Sequence, residues 1–337
     1  MKKLLFLTLI VLFAACSTER PQQPSATGRA AELLVVMNNR QFEGHAGEAI
    51  REVFQAQVPM VLTEEHMFDL VQIQEESFVK MFETHRHIFM ATINDTIPKA
   101  RLEISKNVWS YPQVVIRVQA PNDSIFRRVL EANARTFIDH YIAAEYERIV
   151  NAFNRTPNYE ARNAVRDMFG YEMAIPEGFY VAKEGENFLW IRRTGTREDL
   201  DMGLLIATLE YKDPAVDFAH ETIQMRRDSL TYLYIPGQFE GTYMTTYPKL
   251  TPEFRAVNFN GYYAMEARSL WRMENDFMGG PFINYTLVDE ANNRLIILDG
   301  FVYAPDFEKR DYLRQLEAMI YSLKFTEKEE KEAPVES

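Results

Sequence analysis

Apolar positions in the first half of the chain fall into short runs and helical stripes, which predicts an alternation of strands and helices. Five short apolar runs bounded by polar or turn residues are predicted to be β-strands, at residues 32–37, 68–73, 88–93, 101–105 and 113–119. Apolar spacings of three and four predict helices over residues 46–55, near 76–83 and from about 123 to 153. Asn122 or Asp123 can accept the free amide hydrogens of the long helix, and Pro157 ends it because proline lacks that hydrogen.

After residue 170 the apolar positions follow the shorter period of β-strands. The predicted strands are residues 179–182, 188–192, 204–211, 261–274, 281–289 and 294–303. Polar turns join several neighbouring strands as hairpins, which indicates an antiparallel sheet. Helical stripes predict helices over residues 159–169, 214–232 and 306–323. Gly170 can adopt the left-handed conformation that closes the first of these helices.

Together these elements predict an α+β fold made of two subdomains, each an antiparallel sheet with helices packed on it. The N-terminal α+β domain is predicted to span residues 31–157, and the C-terminal α+β domain residues 158–326. A chain of 337 residues is long enough for two such domains.

The N-terminal segment has the pattern of a secretory signal. Lys2 and Lys3 precede an apolar run over residues 4–15 that is too short to span a bilayer as a helix. Residues 13–16, Phe-Ala-Ala-Cys, resemble the bacterial lipobox, in which the cysteine sulfur receives a diacylglyceryl group. The resemblance implies a signal peptide over residues 1–15, a lipid anchor at Cys16 and a flexible polar tether over 16–30. The alternative is an ordinary secretory signal with a chance cysteine.

The charge and the cysteine content limit which partners the protein can bind and where in the cell it is predicted to reside. The chain carries 49 acidic and 37 basic residues, a net charge of −12, which excludes nucleic-acid binding and predicts membrane contact only through the anchor. Cys16 is the only cysteine, so a lipidated chain has no disulfide. No Asp or acidic run follows Cys16, which in bacterial lipoproteins favours the outer membrane, at its periplasmic face. The charged residues 327–337 are predicted to form a disordered tail.

Most of the chain after Cys16 resembles an uncharacterised lipoprotein family of Bacteroidetes, a domain of unknown function. The resemblance rests on the lipobox and on apolar and turn patterns: Leu33-Leu34-Val35-Val36-Met37 before Gly44 and Gly47, Val58-Pro59-Met60 through Glu64, Met67-Phe68-Asp69, and His85-Arg86-His87-Ile88. It implies an envelope location and brings no catalytic residues.

The C-terminal half is similar to the α/β/α sandwich shared by the photosystem II subunit PsbP and the Ran-binding protein Mog1. The similarity lies in the opening Ile175-Pro176-Glu177-Gly178-Phe179, the middle helix, the long strands and the ending Tyr321-Ser322-Leu323-Lys324-Phe325. It implies a fold that serves mostly binding or assembly modules.

Chemical motifs are few. His85 and His87 lie two residues apart on a predicted strand and could share a metal ion. A zinc site needs at least a third ligand, and none is evident, so we prefer the interpretation that the two histidines lie on an exposed strand face. No metal or cofactor is predicted. Glu266 and Glu274 could form a carboxylate pair for glycoside cleavage, although so acidic a chain produces such pairs by chance. The chain has no Gly-x-Ser-x-Gly motif for a nucleophilic serine and no phosphate-binding glycine loop.

Aromatic residues in the second half provide the best hint of a ligand site. A groove for a glycan or peptide could be lined by Tyr243, Tyr262, Tyr263 and Trp271. These observations favour a lipid-anchored, non-catalytic binding or assembly module of the cell envelope, whose partner would be an envelope protein or glycan. The alternatives are an envelope hydrolase acting on glycan or peptide, and a glycan-binding lipoprotein.

Overall fold

A computed structural model describes residues 23–195 and 199–326 of the chain. The predicted signal peptide, Cys16 and the predicted charged tail lie outside the described residues. In the first half the elements are β1 (Glu32–Val36), α1 (Asn39–Glu43), α2 (His45–Phe54), β2 (Asp69–Ile73), α3 (Lys80–Glu83), β3 (His87–Ile93), β4 (Arg101–Lys106), β5 (Val114–Ala120) and α4 (Asp123–Phe153). A 3-10 turn, Glu75–Ser77, precedes α3.

The second half continues with helices on either side of long strands. Its elements are α5 (Tyr159–Phe169), β6 (Tyr171–Glu172), β7 (Tyr180–Gly185), β8 (Phe188–Thr194), β9 (Asp201–Glu210), α6 (Pro214–Asp217), α7 (His220–Tyr234), β10 (Tyr243–Thr246), β11 (Glu253–Phe259), β12 (Tyr262–Glu274), β13 (Gly279–Asp289), β14 (Arg294–Tyr303), α8 (Arg310–Tyr321) and β15 (Lys324–Phe325). Among the described residues, no helix is both long and apolar enough to cross a membrane.

The N-terminal sheet corrects one prediction. Its strand order is β2-β1-β3-β5-β4, and only the β4–β5 pairing is antiparallel; the other three are parallel. Parallel strands need crossover connections and are covered on both faces. Leu33 and Val35 pack with α2 and α4, whereas Leu34 and Val36 pack on the opposite face with Val115. The continuous apolar run of β1 fits a strand that is buried on both faces.

The C-terminal sheet is antiparallel as predicted, and the α+β class is confirmed. Its strand order is β10-β12-β13-β14-β9-β8-β7, with β11 paired to β12. Alternate residues of β9 face two different cores: Leu204 and Ile206 pack with α8, and Leu205 and Ala207 pack with the end of α7. Helices therefore cover both faces of this sheet.

Local signals place most helix ends correctly. The side chain of Asn122 accepts a hydrogen bond from the amide of Ile125 at 3.0 Å, as expected for the start of α4. Gly170 closes α5 with φ of 73°. The helix predicted over residues 214–232 is instead two helices, α6 and α7. Asp217, at their junction, accepts hydrogen bonds from the amides of Lys212 and Asp213, which fixes α6 as a separate turn.

The two halves are joined by contacts between α8 and the segment from α2 to β2. Arg310 donates to the carbonyl of His66 at 2.9 Å and forms an ion pair with Asp69 at 3.0 Å. Val58 and Val61 pack into the core beneath the C-terminal sheet. Helix α8 begins at Arg310 rather than near residue 306, because the free amides at its start are bound across this junction by Glu65.

The end of the predicted flexible tether is also fixed in place. Ala26 donates its amide hydrogen to the carbonyl of Tyr111 at 3.0 Å, and Thr27 donates to Thr84 at 2.8 Å. The amide of Arg86 returns a bond to Thr27 at 3.0 Å. These backbone bonds satisfy polar groups beside β3, so the tether prediction is wrong for this part of residues 16–30.

Candidate functional site: a cleft between the halves

A cleft of about 520 Å³ lies where helices α4, α5 and α8 meet. Its volume is in the range of small-molecule sites, about 300–1,000 Å³. We call it the junction cleft. Its lining includes three tyrosines, three asparagines and three cationic side chains: Tyr146, Tyr159, Tyr321; Asn151, Asn154, Asn260; Arg162, Arg166, Lys324. Two carboxylates, Glu147 and Glu172, also line it.

Stacked aromatic rings form one wall of the junction cleft. Tyr321 of α8 stacks on Tyr146 of α4, with ring centroids 5.3 Å apart and an interplanar angle of 25°. On its other side Tyr321 stacks on Phe259 of β11 at 4.8 Å. The edge of Tyr285 meets Tyr321 at 5.3 Å. This ladder ties the two halves together and fixes the tyrosine rings that the cleft exposes.

A buried charge network supports the tyrosine ladder. Glu266 accepts hydrogen bonds from Arg255 at 2.9 Å, from Arg268 at 3.0 Å and from the hydroxyl of Tyr285 at 2.8 Å. Arg268 also pairs with Glu317 of α8. Burial lowers the pKa of Arg268, but the charges of Glu317 and Glu266 outweigh it, so this pKa lies well above its ordinary value.

The same surroundings keep Tyr285 protonated. Its burial and the neighbouring carboxylates raise the pKa of Tyr285 well above the ordinary value, so its hydroxyl remains a donor. Burial likewise raises the pKa of Tyr321 to about 12. Both carboxylates of this network, Glu266 and Glu317, are buried and bound to Arg268, and neither lines the junction cleft.

In the cationic wall, formed by Arg162, Arg166 and Lys324, the side chain of Arg162 is held by backbone carbonyls. Arg162 donates to the carbonyl of Ile175 at 3.0 Å and to that of Phe153 at 3.2 Å, and burial lowers its pKa. Arg166, one helical turn later, donates to the side chain of Asn163 at 2.5 Å. Lys324 lies opposite Glu172 in the β6–β15 pairing. Within residues 23–195 and 199–326, none of the three cations has a carboxylate oxygen within 4.0 Å.

His85 and His87 are buried, so the predicted exposed strand face is wrong. Nε2 of His85 lies 2.8 Å from Oε1 of Glu32, and its Nδ1 lies 2.9 Å from the carbonyl of His87. Nε2 of His87 lies 2.6 Å from Glu145. The two imidazoles thus bind different carboxylates. In the part of the chain that the structure describes, no group of three or more His, Cys, Asp or Glu could hold a metal ion.

The predicted aromatic groove is not formed, because its residues lie at opposite ends of β12. Tyr243 pairs with Glu274 at one end, whereas Tyr262 and Tyr263 begin the strand at the other end. Trp271 is buried in the core, and its indole nitrogen donates to the carbonyl of Val302 at 3.2 Å.

The proposed carboxylate pair of Glu266 and Glu274 fails for the same reason, since Glu274 pairs with Arg272 near the far end of the strand. Sequence reasoning missed the junction cleft altogether. Its lining comes from three helices and from strands far apart in the chain, and no local pattern joins them.

Comparisons with solved structures identify similar folds over about half of the chain. The Ran-binding protein Mog1p of Saccharomyces cerevisiae is 12% identical, with a TM-score of 0.33, covering 47% of this chain and 91% of its own. LpqN of Mycobacterium tuberculosis, described as involved in cell envelope biogenesis, is 15% identical, with a TM-score of 0.30, covering 51% of this chain and 99% of its own.

Sequence comparisons find families and no individual curated relative. No curated protein matches the chain. Residues 26–154 match the family DUF8532, and residues 158–322 match the family DUF4837, each described as a domain of unknown function.

Proposed function

We propose that this protein is a lipid-anchored component of the cell envelope that binds a ligand in the junction cleft and acts as a non-catalytic binding or assembly module. The observation that carries the proposal is the cleft itself, where stacked tyrosines line the same space as three cations, of which Arg162 is held by backbone carbonyls. Pre-ordered side chains lose little conformational entropy on binding, so such a wall favours recognition of a partner.

The nearby carboxylates are engaged in ion pairs and hydrogen bonds, which favours a binding role over hydrolysis. Hydrolases of glycans use two carboxylates that flank the scissile bond. The converging pair in this region, Glu266 and Glu317, is held in ion pairs with Arg268 beneath the cleft. Of the two carboxylates that line the cleft, Glu147 accepts a hydrogen bond from the hydroxyl of Tyr111 at 2.6 Å.

Glycan binding is the second candidate, and the tyrosines favour it. Aromatic faces pack against the flat apolar faces of sugar rings, while phenolic hydroxyls and asparagine amides can bond sugar hydroxyls. Tyr159 is 70% exposed at the start of α5, beside the more deeply placed Tyr146 and Tyr321.

Site-specific cross-linking in living cells tests the binding proposal. We expect p-benzoylphenylalanine in place of Tyr159 to form a covalent adduct, whereas the same group in place of Tyr180, which is 44% exposed on β7, should not. Adding Asn151→Trp, which fills the cleft from α4, should remove the adduct. Equal adducts at both positions, adducts insensitive to Asn151→Trp, or none at either position would refute cleft binding.

The lipid anchor is tested separately from ligand binding in the cleft. We propose membership of a Bacteroidetes lipoprotein group, anchorage through Cys16 and residence at the periplasmic face of the outer membrane. Two acyl chains hold a protein on a membrane far more stably than one, since each buried methylene adds about 0.8 kcal/mol. Cys16→Ser should abolish palmitate labelling and release the chain from membranes, whereas Ser17→Ala should do neither. Membrane retention of Cys16→Ser would contradict the anchor.

A further inference from the structure

The cationic wall of the junction cleft is unusual for so acidic a chain. Arginines elsewhere in the described chain commonly pair with carboxylates, as Arg294 does with Asp289 at 2.9 Å. The three cleft cations have no such partner among the described residues, although acidic residues outnumber basic ones by 49 to 37. Unpaired cations gathered in a concave site create a positive potential that concentrates anions.

Two of these cations are placed side by side at a cost. Arg162 and Arg166 are four residues apart on α5, so both guanidinium groups lie on one face of the helix. Like charges at this spacing destabilise a helix. Neither guanidinium has a carboxylate oxygen within 4.0 Å in residues 23–195 and 199–326, although the charge of Glu172 acts to raise the pKa of Arg162 against the effect of burial. An anionic ligand would relieve this repulsion.

The carboxylates of the cleft indicate which wall the anion would contact. Glu172 opposes Lys324 in the β6–β15 pairing, and its charge also acts on Arg162. Glu147 belongs to α4, on the side of Tyr111. The α5 wall, and Arg166 in particular, is therefore the part of the lining best able to attract a negative group, since Arg166 has no carboxylate oxygen within 4.0 Å among the described residues.

We propose that the junction cleft binds an anionic saccharide, and this inference rests on the proposed binding function. The carboxylate or phosphate of the sugar contacts Arg162 and Arg166, and the sugar ring packs on the exposed ring of Tyr159, next to the half-buried Tyr146. Arginine is suited to either anion, because its planar fork matches both carboxylate and phosphate oxygens. The lining asparagines supply donors and acceptors for hydroxyl groups.

Isothermal titration of the detergent-solubilised full-length protein tests the proposal with matched ligands. Digalacturonic acid is compared with neutral galactobiose, and glucose 6-phosphate with glucose, so that the carboxylate and phosphate sources are separated. We expect at least one anionic member to bind about tenfold more tightly than its neutral counterpart, as a charged hydrogen bond predicts. The preference should shrink at high salt.

Single substitutions test which side chains contact the negative charge and which contact the sugar ring. Arg166→Gln should weaken the anionic sugar about fivefold and leave its neutral counterpart unchanged. The control Arg128→Gln, at an exposed position of α4 outside the cleft, should change neither. Tyr159→Ala should weaken both, because it removes contact with the ring and not with the charge.

The unfavourable outcomes separate this inference from the binding function. Equal affinity for charged and neutral sugars, both lowered by Tyr159→Ala, would overturn the anionic preference and leave a glycan-binding cleft. An anionic preference unaffected by Arg166→Gln would overturn the assignment of the anion to the α5 wall. Absence of binding by all four ligands would overturn the saccharide proposal, while the cross-linking at Tyr159 would still decide whether the cleft binds anything.

Discussion

Removal of the Glu65 carboxylate should destabilise helix α8, although the two lie in different halves of the chain. Oε2 of Glu65 accepts hydrogen bonds from the amides of Lys309 and Arg310, at 2.8 and 2.7 Å. The residue before α8 makes no side-chain capping bond of its own. Glu65 is 3% exposed, so it replaces water as the partner of two helix-start amides.

The expected decrease in the free energy of unfolding depends on whether the substitution keeps a hydrogen-bond acceptor for the two amides. Glu65→Ala removes the charged acceptor of two helix-start amides, and each lost bond to a charged group costs about 1.5 kcal/mol. We therefore expect the free energy of unfolding to fall by about 3 kcal/mol. Glu65→Gln keeps an acceptor oxygen and loses only the favourable charge at a helix N-terminus, which should cost about 1 kcal/mol.

Urea unfolding and hydrogen exchange measure the two effects. The unfolding midpoint should decrease in the order wild type, Glu65→Gln, Glu65→Ala, and the amides of Lys309 and Arg310 should lose protection from exchange. Glu64→Ala is the matched control, since Glu64 is the exposed neighbour. If Glu65→Ala and Glu64→Ala shift the midpoint equally, or if exchange at the start of α8 is unchanged, the capping argument is refuted.

Two further predictions concern buried charges. Burial lowers the pKa of His87 to about 4, whereas an unfolded histidine has a pKa of about 6.5. The unfolded chain then binds a proton that the folded chain does not, so stability should fall by up to about 3 kcal/mol as the pH drops from 6.5 towards 4. His87→Gln should flatten this slope in urea midpoints measured across that range, and exposed His45→Gln should not. Arg227→Leu should lower stability by about 3–5 kcal/mol in thermal unfolding, because it leaves buried Asp299 without its 2.8 Å partner; adding Asp299→Asn should recover part of the loss.

The elements that the sequence predicts well are those with local causes. The long helix α4 and its cap at Asn122 follow from an apolar period and a side chain two or three residues from the amides it binds. The end of α5 at Gly170 depends on one residue's tolerance of a left-handed backbone. The C-terminal hairpins follow from turns between neighbouring strands. In each case the interacting groups are close in sequence, so pattern and structure agree.

The sequence predictions are wrong where the interacting residues are far apart in the chain. Helix α8 starts at Arg310 because Glu65, 245 residues away, binds its first amides, whereas the local apolar pattern predicts a start near residue 306. Strand direction in the N-terminal sheet depends on which strands become neighbours, and apolar runs do not encode that choice. The aromatic groove does not form because Tyr262 and Tyr263 begin β12 whereas Tyr243 of β10 pairs at its other end, and a strand extends about 3.3 Å for every residue.

Helix α8 connects the contacts between the two halves with the junction cleft. Glu65 of the N-terminal half caps the start of α8, and the end of α8 lines the cleft. Its first residue, Arg310, is bound by Glu65 and Asp69, and its last, Tyr321, stacks between Tyr146 and Phe259 in the cleft wall. A helix of 12 residues is a rigid rod of about 18 Å. A shift of its capped end therefore moves its tyrosine relative to the cations of α5, so the ion pairs and capping bonds between the halves position the groups proposed to hold the ligand.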